Sequence, residues 1–194
     1  MTPPRPESLE DLLTRIRACT ECRGLPLGPR PVIQAGRTAR VALIGHAPGR
    51  LVHASGIPWD DASGERLRLW LGMDREEFYD PGRVALFGMG LCYPGTGKTG
   101  DLPPRPECAP LWHDAVLARL RPGIRKVLIG RYAIDRYLGP RRKATLTETV
   151  KAWREYRPFL VLPHPSGRNN GWLAQNPWFE RDALPAMRAL LRKG

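Results

Sequence analysis

The stretch Leu43-Ile44-Gly45-His46-Ala47-Pro48-Gly49 decides how this chain is read. The apolar run from Val41 to Ile44 has the composition of a buried strand, and it stops in a Gly-x-x-Pro-Gly turn, where glycine and proline suit an abrupt change of direction. Open α/β sheets place their ligands in loops at the carboxyl ends of parallel strands. This loop holds His46 and His53, two of only four histidines, and runs into Gly56-Ile57-Pro58-Trp59. A second loop of the same kind follows the apolar run 159–162 and reads Pro163-His164-Pro165-Ser166-Gly167-Arg168-Asn169. Two strand ends that each deliver histidine point to one site.

Working outward, further apolar runs at 84–87 and 126–130 read as strands, and the segments between them read as helices. Ser8 with Asp11 makes a capping box for a helix to about Ala18. The segment Asp60-Asp61-Ala62-Ser63-Gly64 and Asp74 open two more helices, the first ended by Gly72. Helices are also expected over 109–120, with Leu111 inward, over 132–138, 145–153 and 178–191, while 2–6 reads as a loose proline-rich lead. Strands alternating with helices give a three-layer α/β/α fold around a central four-stranded, mainly parallel sheet, and 194 residues fit one domain spanning 1–194.

The charge is lopsided. Thirty-one Lys and Arg against 19 Asp and Glu give +12, which favours a polyanionic partner through phosphate contacts. No apolar run approaches the ~20 residues that a bilayer needs, so a cytoplasmic, membrane-free protein is expected, and a monomer. Cys19 and Cys22 form a C-x-x-C at a helix end, and Cys92 and Cys108 flank a long segment rich in proline and glycine. Four thiolates from two loops can hold either a tetrahedral zinc or a four-iron cluster, and the spacing does not choose between them. His113 reads as a surface or cap residue. The run Gly95-Thr96-Gly97-Lys98-Thr99-Gly100 lacks Walker spacing and reads as a flexible basic loop.

Taken in order, the C-x-x-C, the strand, Gly-x-x-Pro-Gly, Gly-x-Pro-aromatic, the two later cysteines and His-Pro-Ser resemble the uracil-DNA glycosylase superfamily, most closely its iron–sulfur branches, families four and five. The resemblance implies a [4Fe-4S] cluster on Cys19, Cys22, Cys92 and Cys108. It implies a base pocket made by Gly45, Ala47, Pro48, Gly49, Trp59 and Gly88, with Trp59 stacking on a flipped base. His164 would stabilise the departing base, and Ser166, Gly167, Arg168, Asn169 and Asn170 would press on single- or double-stranded DNA. Where the best-known branch carries a water-positioning aspartate this chain has Ala47, and where the family often reads uracil with asparagine it has Gly88. His46 and His53 are then candidates to activate water, with Asp60 and Asp61 as a third option. The expectation is a monofunctional glycosylase that removes uracil or another deaminated base. The competing expectation is a DNA- or damage-binding module that has lost catalysis, and a weaker third is a glycosidase of free nucleosides.

Overall fold

The computed structural model describes residues 7–192; the expected proline-rich lead at 2–6 lies outside them. Four strands form one wholly parallel sheet: β1 (Val41–Gly45), β2 (Val84–Gly88), β5 (Arg125–Ile129) and β6 (Phe159–Leu162), in the order β2-β1-β5-β6. All five residues of β1 are buried, as expected of a central parallel strand covered on both faces. The helices that flank the sheet complete the three-layer α/β/α architecture.

Register brings the strand ends level. Gly45 pairs with Gly88, Ile44 with Leu128, and Ile129 with Leu162. The carboxyl ends of four strands therefore open on one edge, and the chain reverses its winding between β1 and β5, the switch point at which such sheets bind ligands. The free edge of β2 is closed by Gln34, which exchanges backbone hydrogen bonds with Leu86 and donates its side-chain amide to the Val84 carbonyl.

Local signals set the helix starts. Helix α1 (Leu9–Arg17) has the Ser8–Asp11 capping box, α3 (Ala62–Leu71) is capped by Asp61 and ends at left-handed Gly72, and α4 (Arg75–Tyr79) is capped by Asp74. Several expectations need correction. The loop after β1 contains a helix, α2 (Arg50–Ser55), whose last carbonyls, at His53 and Ala54, both accept from the Arg30 guanidinium. The segment expected as a flexible basic loop forms a hairpin of β3 (Thr96–Gly97) and β4 (Gly100–Asp101). In α5 (Cys108–Leu117), Leu111 is exposed while Trp112 and His113 are buried. Asn170–Gln175 is helical, Trp153–Tyr156 forms a 3₁₀ turn after the helix Leu146–Lys151, and the last helix begins with a π turn over Phe179–Ala183.

The turn from Trp59 to Gly64 is the tightest point around the strand ends. Trp59 is the one non-glycine residue with positive φ among the described residues, at 59°. Its carbonyl oxygen lies 1.7 Å from where a Cβ on Gly64 would stand. Alanine is the better helix former, by about 1 kcal/mol, yet here the obstacle is backbone. Gly64→Ala should lower stability by about 1–3 kcal/mol in a denaturant titration, as overpacking does.

Candidate active site

A cleft of about 500 Å³ opens at the level strand ends, within the size range of small-molecule sites. Its floor is built from glycines because nothing larger fits. A Cβ on Gly45 would stand 2.5 Å from the Trp59 ring, and one on Gly88 would stand 2.6 Å from the Gly90 carbonyl and 2.8 Å from that of His46. Position 88 therefore accepts no amide side chain unless the backbone moves.

His164 follows β6 and lines the cleft. Its Nδ1 accepts the Ser166 backbone N–H at 3.3 Å, so in the neutral ring the proton sits on Nε2, which becomes a donor. Burial, helped by His46 and by the Arg168 guanidinium, pushes its pKa down to about 4. Asn169 donates to the His164 carbonyl at 2.6 Å and fixes that turn. The His164 ring stacks on Trp59, with centroids 5.6 Å apart, and meets His46 edge-on at 6.4 Å. Burial also lowers the pKa of His46, against a pull from Asp101, and its ring meets Tyr132 edge-on at 5.1 Å.

The cleft brings together Gly45, His46, Ala47, Pro48, Gly49, Trp59, Gly88, His164, Ser166, Gly167 and Arg168, all expected from sequence. It leaves out His53, whose ring sits on the buried side of α2 against Tyr93, at 6.0 Å. It also leaves out Asn169 and Asn170, the latter accepting from Arg66. The expectation for His113 is corrected: its side chain is 1% exposed, Nε2 bonds the Gly88 carbonyl at 3.0 Å and Nδ1 the Tyr137 hydroxyl at 2.8 Å. Burial holds its pKa down at about 4, so a neutral ring supports the cleft floor from behind. Sequence reading missed Asp101, Arg131 and Tyr132, which also line the cleft. The last two follow β5 directly, so the strand-end rule could have found them.

A second, smaller pocket is lined by Cys19, Cys22, Cys92 and Cys108, all free thiols. Burial pushes the Cys108 thiol up to about 12 and Cys92 to about 11, and the neighbouring sulfurs push the same way. Among the described residues no three His, Cys, Asp or Glu side chains form a group that could hold a metal ion, so the four line a common pocket without closing on one. Also among the described residues, no helix is long and apolar enough to cross a membrane.

With its pKa near 4, His164 should stay neutral at pH 5.5, where a free histidine is mostly charged. Nitrogen NMR of the imidazoles tests this, and a charged ring at that pH would contradict it. The model of the Uracil DNA glycosylase superfamily matches residues 33–188, a span that holds every strand end and every cleft residue but Val32. That span is most of the chain, and the protein belongs to the uracil-DNA glycosylase superfamily.

Proposed function

We propose that the protein is a monofunctional DNA glycosylase that flips a deaminated base, with uracil the first candidate, into the cleft and hydrolyses its bond to the sugar. The observation that carries this reading is the fixed Nε2–H of His164 in a half-buried, uncharged ring. As the C1′–N bond breaks, negative charge gathers on the base. A preorganised donor out of water stabilises that charge far more than it does the neutral substrate. The Arg168 guanidinium, near enough to bias the His164 ring, adds a favourable field.

Trp59 supplies the aromatic face for stacking. The gap of 5.6 Å between its ring and that of His164 is short of the ~7 Å that an inserted base would need, so the base stacks outside that pair. With no side chain possible at position 88, discrimination falls to backbone groups and to the cleft rim, which supports relaxed base selectivity. The closed position 88 and Ala47 also support the second reading, a DNA-binding module without catalysis. The charge of +12 fits either reading.

We also propose that Cys19, Cys22, Cys92 and Cys108 hold a [4Fe-4S] cluster, with zinc as the alternative. Four free thiols around one pocket make a suitable donor set for either group. Bound there, the cluster would be structural, cross-linking the loops. The chain ties that pocket to the cleft itself: Cys92 accepts from the Arg30 backbone N–H, while the Arg30 side chain holds the end of α2.

The functional test uses labelled oligonucleotides carrying uracil, hypoxanthine or xanthine, single-stranded and duplex, with alkali to reveal base loss. We expect loss of at least one base, and a fall of about 10²–10³ in rate for His164→Ala with DNA affinity retained. Tight binding with every base intact would favour the module. Anaerobically purified protein should carry iron and sulfide and show iron–thiolate charge-transfer absorption in the visible; colourless, zinc-loaded protein would select the alternative.

A further inference from the structure

A hydrolytic glycosylase needs a proton acceptor beside the attacking water, and His164 is not free to serve. Its Nδ1 is engaged by Ser166, and its Nε2 carries the proton. His53 lies outside the cleft. Two carboxylates line the cleft, Asp61 and Asp101, and both face Gly49. Their Oδ2 atoms stand 3.9 Å and 3.4 Å from where a Gly49 Cβ would be, so they are no further apart than the sum of those distances. Asp61 is committed to helix α3, its Oδ1 accepting from the Gly64 N–H at 2.8 Å. Asp101 has no such duty.

Resting on the glycosylase reading above, we propose that Asp101 holds the attacking water and takes its proton. The β3–β4 hairpin carries it over the cleft. Oδ1 is steadied by the Thr96 hydroxyl at 3.4 Å, which in turn bonds the hydroxyl of buried Tyr93 at 2.5 Å. Oδ2 turns toward Gly49 and takes no hydrogen bond from any described residue. Gly100, with φ of 131°, lies under the Arg168 guanidinium so closely that any side chain there would collide with it. The loop after β6 thus braces the hairpin, and the charged or titratable groups facing Asp101 are His46, Asp61 and Arg168.

The step balances. The water oxygen bonds C1′ as the C1′–N bond breaks, and that electron pair leaves with the base, whose charge His164 stabilises. The water proton passes to the Asp101 carboxylate and then to the expelled base or to solvent, which leaves a neutral base, a hydroxyl on C1′ and the carboxylate restored. Ala47 at the third position of the first motif is consistent with such a step, because the acid arrives from the hairpin instead.

Single-turnover excision, on whichever base the wild type removes, tests the assignment with Asp101→Asn, Asp101→Ala and Asp101→Glu. The first two should lower the rate about 10²–10⁴-fold, the usual worth of a general base, with affinity for DNA and melting temperature unchanged. Formate added to Asp101→Ala should restore part of the rate and do nothing for His164→Ala, a rescue that a merely bracing residue would not give. A near-normal rate for Asp101→Asn, or a loss matched by weaker binding and without formate rescue, would overturn the proposal while leaving the glycosylase intact. A wild type inert on every base would instead remove the glycosylase reading, and this one with it.

Discussion

The structure depends on a steric constraint at one edge of the sheet. Gly45 ends β1, Gly88 ends β2, and Gly130 follows β5 with φ of 80°. At the first, a Cβ would strike Trp59; at the second, backbone; at the third it would come to 3.3 Å from the His164 side chain. A floor without side chains lets two rings from distant loops lie directly on the strand ends. Trp59 reaches that place with left-handed backbone, a conformation that costs a non-glycine residue about 1–2 kcal/mol. Its carbonyl is held by the Tyr79 hydroxyl and enclosed by Gly64, so the surrounding structure maintains the strain.

Electrostatics follow from that packing. Loss of water discourages His164 from taking a proton, and the neighbouring His46 and Arg168 push the same way. His164 and His113 are both driven far below the ordinary value for the same first cause, loss of water, but they serve different ends. One lines the cleft and keeps its remaining N–H, while the other spends both nitrogens on fixed partners, Nε2 on the Gly88 carbonyl and Nδ1 on the Tyr137 hydroxyl. The thiols illustrate the reverse sign. Loss of water raises Cys92 and Cys108, so positive charge among them would be needed to make them thiolates at neutral pH.

Much of this was legible in the sequence, for physical reasons. Strands buried on both faces are short apolar runs, and β1, β2, β5 and β6 stand out as such. Caps are local chemistry, so Ser8, the Asp60-Asp61 pair and Asp74 mark their helices without help from the rest of the fold. Helix α2 was hidden because six residues cannot display a period and its last carbonyls are satisfied by Arg30, more than twenty positions away. The hairpin strands have two residues each, too few for alternation. His113 was misread because its partners, Gly88 and Tyr137, are tertiary neighbours. Asp101 was invisible for the same reason: only the folded chain brings it to Gly49.

The cleft draws on residues from Val32 to Arg168, with no single element contributing enough to form it alone. Its floor exists only when β1 has partners on both sides, and such non-local parallel pairings are slow to form because the intervening chain must first be closed into loops. The site is therefore a late product of folding. No fragment short of the whole sheet can carry it, and competence for chemistry is tied to the cooperative unit rather than to any loop.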